Sequence, residues 1–174
     1  MFNFIKNYIK GFRYLRKTFK NWPVALLFRI GLLNSFKGKL SWGEVEIKKD
    51  GLIRFYYKNR DLKFYANSRK GSFVSVNTTL KEIFVDDIYG GLDVKGKVVV
   101  DIGAYIGDSS VYFILKGAER VYAFEAYPLP YRLLLKTIKA NNLEGRILPF
   151  NEALAKKPGK IKLDGEYEIH IVLP

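Results

Sequence analysis

One stretch of thirty residues, "KVVVDIGAYIGDSSVYFILKGAERVYAFEA", constrains the fold of this chain more than any other. It opens with an unbroken run of β-branched residues, which is typical of a strand buried on both faces of a parallel sheet. Asp101, Gly103 and Gly107 follow in the pattern D-x-G-x-x-x-G, and about ten residues of helical pattern end at Gly117. A second apolar strand ends at Glu125. The stretch predicts a strand, turn, helix and strand of a doubly wound α/β sheet.

The turn between the first strand and the helix carries the candidate binding residues. Glycines at Gly103 and Gly107 favour a backbone that passes close to a ligand, where a β-carbon would intrude. Asp108 or Ser109 is predicted to cap the helix. Asp101 has a structural alternative, since its carboxylate can orient the turn by accepting backbone N–H bonds.

Glu125 stands at the tip of the second strand, 24 residues after Asp101. A carboxylate at that point can accept both hydroxyl hydrogens of a ribose, using its two oxygens at once. The alternative is an exposed acid at a strand end, and the spacing favours the ribose role. Together the turn and this acid predict a nucleoside-binding unit.

The glycine spacing favours one nucleoside cofactor over another. A dinucleotide fold needs G-x-G-x-x-G around a pyrophosphate, and this turn lacks that pattern. The carboxylates of Asp101 and Asp108 would repel a pyrophosphate but attract a sulfonium ligand with an ammonium group. S-adenosylmethionine therefore fits better than NAD. With no cysteine and only His170, neither a metal site nor a Ser/His/Asp triad is expected.

Three phrases, "VVVDIGAYIGDSS", "VYAFEAYP" and "NNLEGRILPFNEALA", together resemble the FkbM-type family of class I S-adenosylmethionine-dependent methyltransferases over about residues 85–160. The resemblance implies an enzyme with a Rossmann-like doubly wound sheet and S-adenosyl-L-methionine as its cofactor. Members of the family mostly methylate hydroxyl oxygens of sugars, glycans or natural products. O-methyl transfer to a small-molecule or glycan acceptor is therefore what the resemblance implies.

The resemblance also implies a set of cofactor-binding residues. Those for the methionine part are Asp101, Gly103, Ala104, Tyr105 and Gly107, with Asp108 and Ser109 close by. Glu125 matches the family's acid after the second strand, with Ala126 beside the adenine and the amide of Asn151 facing the adenine edge. No catalytic base can be named, because the family's candidates lie in a part of the fold that has no counterpart here.

The chain departs from the family after the third strand. Residues 155–174 do not match the fourth strand and its "D-x-E-G"-like phrase, so the first core strand is predicted to be an apolar edge and an aggregation hazard. The absence of the remaining strands has three explanations: the chain is truncated, a partner chain or oligomer completes the sheet, or "EIHIVLP" substitutes for the missing strand. Truncation is favoured, because the roughly 14 residues before "EIHIVLP" offer no crossover helix. His170 is expected on a strand face.

All the excess positive charge belongs to the N-terminal part. Residues 1–70 contain 17 Lys or Arg against 4 Asp or Glu, whereas residues 71–174 contain 13 of each. The first twenty residues predict an amphipathic basic helix, and a second helix follows from Trp22 to about Leu33. Residues 1–40 are a candidate contact for an anionic membrane, although a docked helix with a solvated lysine face is favoured.

Alternation around Asp50-Gly51 predicts an antiparallel meander of two or three strands over residues 40–65. Its interleaved basic and aromatic residues could stack on single-stranded nucleic acid, but a half-buried sheet with a basic outer face is favoured, and nucleic acid is not an expected partner. "VNTTLKEIFVDDIY" then predicts a helix capped by Asn77 or Thr78.

We therefore expect two domains: residues 1–75, with the helices and meander, and residues 76–174, the S-adenosylmethionine-binding domain without its C-terminal half. Two other functional classes stay open. These are a basic membrane- or nucleic-acid-binding module with a vestigial nucleotide fold, and a NAD-linked oxidoreductase. No signal peptide or membrane span is recognised, so the cytoplasm is the expected compartment, with peripheral membrane contact as the alternative.

Overall fold

The computed structural model describes residues 16–29, 33–40, 43–67, 72–163 and 167–172. The chain has a mixed α/β fold and divides into two compact units, Met1–Lys63 and Phe64–Pro174. The predicted basic helix falls mostly on residues 1–15, outside the described residues, while residues 16–18 are helical. No helix in the described stretches combines the length and the apolar character needed to cross a membrane.

The first unit contains helix α1 (Trp22–Arg29) and a four-stranded sheet in the order β1-β2-β3-β4, whose last strand ends two residues beyond the unit boundary. The strands are β1 (Ser35–Lys39), β2 (Glu44–Lys48), β3 (Leu52–Tyr57) and β4 (Arg60–Tyr65). The expected meander of two or three strands over residues 40–65 corresponds to β2, β3 and β4, and β1 adds a fourth strand to the sheet. The additional strand β1 is antiparallel to β2 along its whole length, from Ser35 opposite Lys48 to Lys39 opposite Glu44.

Alternation gives this sheet one buried face and one face toward water, as the meander pattern predicts. The buried side chains include Phe36, Val45, Ile47, Ile53 and Phe55. The outer face carries both signs of charge, because Arg54 pairs with Asp61 at 2.6 Å and with Glu46 at 3.7 Å. The half-buried sheet therefore describes this region, and its outer face is not uniformly basic.

The second unit carries the Rossmann-like part of the fold, a parallel sheet in the order β5-β6-β7. Its elements are α2 (Ser72–Phe84), β5 (Val98–Ile102), α3 (Asp108–Leu115), β6 (Arg120–Phe124), α4 (Pro128–Ala140) and β7 (Ile147–Phe150). The predicted strand, turn, helix and strand are confirmed. The predicted caps of α2 were wrong, because Asn77 and Thr78 lie inside a helix that begins at Ser72.

Helices cover one face of the parallel sheet. Val121, Ala123 and Ile147 on that face are at most 1% exposed. Helix α3 contacts β5 and β6, and α4 contacts β7. The apolar side of α4 is buried at Leu133, Leu134 and Ile138, which is the spacing expected for an amphipathic crossover helix.

The other face leaves β5 exposed. Val98, Val100 and Ile102 are 56%, 56% and 67% exposed. Within the described residues β5 is paired with β6 on one side only. The prediction of burial on both faces was therefore wrong for β5, while the prediction of an apolar edge strand is confirmed.

The C-terminal residues form a separate small sheet in the order β8-β10-β9. The strands are β8 (Glu152–Leu154), β9 (Gly159–Leu163) and β10 (Tyr167–Val172). Strand β10 runs parallel to β8 and antiparallel to β9, so the residues of "EIHIVLP" that lie in β10 do not replace a strand beside β5. His170 is exposed and aligns with Glu152 and Lys160 on the neighbouring strands.

Candidate functional site

The carboxyl ends of the three parallel strands bring the predicted residues to one edge of the sheet. Asp101 lies near the end of β5, Glu125 directly follows β6, and Asn151 directly follows β7. Strands β5 and β6 are in parallel register, with Asp101 opposite Ala123. In open α/β sheets ligands bind in the crevice at this edge. The structure therefore places the two segments of the predicted nucleoside unit side by side.

The turn after β5 is held against the end of β6 by backbone hydrogen bonds. The N–H groups of Gly103 and Ala104 both donate to the carbonyl oxygen of Phe124, at 2.8 and 2.9 Å. Tyr105 continues the turn with a φ of +48°, a left-handed conformation that is uncommon for a residue with a side chain. Ala104 is fully buried beneath the turn. The turn is thus fixed relative to both strands.

The two glycines of the turn serve different purposes. Gly103 and Gly107 have φ values of +82° and +89°, where a β-carbon is disfavoured. A β-carbon on Gly107 would lie 2.7 Å from Cδ1 of Leu134, so the buried Leu134 side chain of α4 would have to shift to admit it. A β-carbon on Gly103 would meet nothing within 4 Å. Gly103 therefore borders open space, as a backbone that approaches a ligand must.

Glu125 connects the end of β6 to the turn. Its side chain is buried, Oε2 accepts a hydrogen bond from the Tyr105 N–H at 2.9 Å, and Oε1 accepts one from the Tyr127 N–H at 2.8 Å. The alternative of an exposed strand-end acid was therefore wrong. Each carboxylate oxygen can accept a further hydrogen bond, so both remain able to receive ribose hydroxyls. The ribose role itself stays a prediction.

Asn151 holds the backbone after β6. Its Nδ2 donates to the carbonyl oxygens of Glu125 and Ala126, at 2.8 and 3.0 Å. Because those bonds use the amide hydrogens, the side-chain oxygen is the group left for a ligand. The predicted contact of Asn151 with the adenine edge, and that of Ala126 beside it, stay predictions.

Asp101 accepts two serine hydroxyls rather than the backbone bonds considered from the sequence. Its Oδ2 accepts from Ser109 Oγ at 2.8 Å and from Ser110 Oγ at 2.6 Å. Burial raises the pKa of Asp101, and the two serines oppose that rise. Ser110 was missed by the sequence analysis, although two adjacent serines in the first helical turn were a signal for it.

Asp108 is the first residue of α3, as predicted, but neither it nor Ser109 is the cap. Gly107 occupies the N-cap position without a side-chain hydrogen bond. Asp108 Oδ1 accepts from the Ser109 N–H at 3.1 Å, while its Oδ2 is buried without a hydrogen-bond partner. Burial is the main cause that raises the pKa of Asp108 to about 7, and the charge of Asp101 adds to the rise.

Tyr89, in the loop between α2 and β5, is a second residue that sequence reasoning missed. Burial raises the pKa of its phenol, and the charges of Asp101 and Asp108 raise it further. Its ring packs 5.3 Å from that of Phe113 and 6.1 Å from that of Tyr112. Nothing in the local sequence distinguished this aromatic from a core residue.

Acidic side chains predominate at this end of the site, which determines the ligands that fit it. Asp101 raises the pKa of Asp108, both acids raise the pKa of the Tyr89 phenol, and Oδ2 of Asp108 is buried without a hydrogen-bond partner. A sulfonium ligand with an ammonium group fits such a site, whereas a pyrophosphate does not. In the stretches that the structure describes, no group of three or more His, Cys, Asp or Glu side chains could hold a metal ion.

Comparisons with known proteins find similarity to methyltransferases over part of the chain. No family model matches. Over 60 residues the chain is 35% identical to protein arginine N-methyltransferase 6 of Xenopus tropicalis, covering 34% of this chain and only 17% of that protein. The methyltransferase FkbM structure from Methylobacillus flagellatus KT is 21% identical with a TM-score of 0.42, covering 53% of this chain and 25% of that one. A PRMT6–SAH structure is 24% identical with a TM-score of 0.36, covering 45% and 21%.

Proposed function

We propose that this chain binds S-adenosylmethionine at the carboxyl ends of β5 and β6, and that it supplies the cofactor-binding part of a methyltransferase. The observation that carries the proposal is the link between Glu125 and the glycine turn, 2.9 Å from Oε2 to the Tyr105 nitrogen. The 60-residue similarity to a curated arginine methyltransferase supports it.

Different residues of the site would contact different parts of the proposed ligand. Glu125 would accept the ribose hydroxyls with the lone pairs that its two backbone bonds leave free. The open space beside Gly103 would receive the methionine part, with the carboxylates of Asp101 and Asp108 balancing its positive charges. When bound, the cofactor would supply an electrophilic methyl group on a positively charged sulfur.

The finer proposal concerns the acceptor. The FkbM-type resemblance of "VVVDIGAYIGDSS" and "VYAFEAYP" favours O-methyl transfer to a hydroxyl of a sugar, a glycan or a small metabolite. The rigid turn would hold the cofactor in a fixed position, and alignment of two reactants can supply much of the rate of a displacement. No general base is assigned among the described residues.

Calorimetric titration with S-adenosylhomocysteine tests the proposal most directly. Two glycine variants separate an effect on ligand binding from an effect on stability. Gly103→Ala and Gly145→Ala introduce a side chain at nearly the same φ, +82° and +79°, and neither new β-carbon meets an atom within 4 Å. Both should therefore lose a similar stability, about 1–2 kcal/mol from left-handed backbone strain.

Only Gly103 borders the proposed pocket, so Gly103→Ala should weaken S-adenosylhomocysteine binding at least tenfold and Gly145→Ala should leave it unchanged. Glu125→Ala should weaken binding strongly as well. Absence of S-adenosylhomocysteine binding to the unmodified chain would overturn the proposal. Fluorescence enhancement with NADH in its place would favour the oxidoreductase alternative.

A further inference from the structure

Asp108 carries a buried oxygen that the fold leaves without a partner. The residue is 3% exposed, and Oδ2 is the single side-chain nitrogen or oxygen of the described residues that is both buried and unbonded. Buried polar atoms are nearly always hydrogen-bonded, because an unpaired one costs free energy. An orphaned carboxylate oxygen at the proposed methionine end therefore points to a missing positive or hydrogen-bonding group.

Among the described residues, the groups that shift the pKa of Asp108 carry no positive charge. Asp101, at the end of β5, raises the pKa of Asp108 through its own negative charge. The negative charges of Asp101 and Asp108 raise the pKa of the Tyr89 phenol, and the charge of Glu82 on α2 also raises it. No Lys, Arg or His is among the described groups that shift the pKa of Asp108. A second negative charge at Asp108 is therefore uncompensated until a ligand provides the cation.

We propose that Asp108 is a proton-linked acid: its carboxyl is neutral in the ligand-free protein and ionises when the cationic end of the ligand enters. The inference rests on the proposed function, and it adds a regulatory property to the same site. On ionisation the O–H bond of the carboxyl breaks, its electron pair stays on the carboxylate, and the proton passes to the solvent. Binding of S-adenosylmethionine is then coupled to the release of a proton.

The burial that raises the pKa of Asp108 to about 7 sets the size of this coupling. At pH 6.5 an acid with that pKa is about three-quarters protonated, so binding should release roughly 0.7 proton. The same linkage should strengthen the affinity for S-adenosylmethionine about eightfold between pH 5.5 and pH 6.5. The α-amino group of the ligand titrates near pH 8 and remains largely protonated at pH 6.5.

Calorimetry of S-adenosylmethionine binding at pH 6.5, in two buffers of different ionisation enthalpy, measures the proton release. Asp108→Asn is the matched variant, because it keeps the shape of the side chain and cannot ionise. We expect about 0.7 more proton released by the unmodified protein than by Asp108→Asn, a difference in which protons taken up by the ligand itself cancel.

Binding with equal proton release in both proteins would overturn the inference and leave the proposed function standing. Failure of the unmodified protein to bind either S-adenosylmethionine or S-adenosylhomocysteine would overturn both. If Asp108→Asn does not fold, the pH dependence of the unmodified protein decides alone. An affinity that rises about eightfold from pH 5.5 to pH 6.5 supports the inference, and an affinity that stays level or falls contradicts it.

Discussion

Glu125 Oε2 accepts a hydrogen bond from the backbone N–H of Tyr105 at 2.9 Å, so the acid at the end of β6 holds the turn that follows β5. The other oxygen accepts the Tyr127 N–H, two residues beyond the acid. One buried carboxylate thus connects two strand ends. Any ligand that bonds to Glu125 reaches a group whose position the backbone has already fixed.

Glu125→Gln should destabilise the fold even though its shape is nearly unchanged. The side-chain NH₂ group of Gln would face one of the two backbone N–H groups that now donate to the carboxylate, leaving a part-buried donor without a partner. Such a loss costs about 1–3 kcal/mol. Urea denaturation followed by circular dichroism measures it. Glu144→Gln, at an exposed acid, is the control and should stay within about 0.5 kcal/mol of the original stability.

Ser110→Ala should destabilise the protein more at pH 8 than at pH 4. The Ser110 hydroxyl donates to Asp101 Oδ2 at 2.6 Å, a bond that favours the ionised carboxylate. Its loss should cost about 1.5–3 kcal/mol where Asp101 is charged and should raise the pKa of Asp101 further. Denaturation midpoints at the two pH values measure the effect. An equal loss at both pH values, or the same loss in the exposed control Ser35→Ala, would refute this account.

The sequence alone predicted the parts of the site that depend on local chemistry. The D-x-G-x-x-x-G turn predicted the helix start at Asp108 and the proximity of Glu125, because both follow from a strand, a tight turn and a parallel neighbour. It missed Tyr89, which comes from another segment. It also assigned the helix cap to an acid or a serine, whereas the left-handed backbone of Gly107 occupies that position.

The sequence-based prediction of the fold was wrong where one residue pattern is compatible with both a buried and an exposed position. A run of valines predicted burial on both faces, yet Val98 and Val100 are more than half exposed, because burial depends on which elements cover the sheet. Strand β1 has the sequence "SFKGK", in which Phe36 is the one large apolar residue and Gly38 weakens the strand pattern. Its pairing with β2 is a long-range property that local alternation does not show.

The stability of the protein should fall between about pH 4 and pH 7, and Asp108→Asn should reduce that fall. The pKa of Asp108 is raised from 3.8 to about 7 in the folded protein, so the folded state binds more protons than the unfolded state between those values. Stability then decreases as the pH rises through this range, by on the order of 4 kcal/mol if Asp108 acts alone.

Guanidinium denaturation at half-unit pH intervals measures this dependence. The unmodified protein should lose stability toward pH 7, and Asp108→Asn should show a flatter profile with its largest relative gain above pH 7. A variant profile parallel to that of the unmodified protein would show that Asp108 is not the group responsible. Asp93→Asn is the control: Asp93 is exposed, and its bond with Lys97 lowers its pKa instead.

Val100→Lys should reduce self-association of the protein without a large loss of stability. Val100 is 56% exposed on β5, whose second edge has no strand neighbour within the described residues, and an apolar open edge promotes intermolecular pairing. A lysine there places charge on the edge, which opposes pairing between copies. Light scattering over a range of protein concentrations measures the effect. Leu135→Lys is the control, because it replaces an apolar residue that is 40% exposed on helix α4, and it should leave self-association nearly unchanged. Equal reductions in both variants would show that general surface charge, and not the β5 edge, controls self-association.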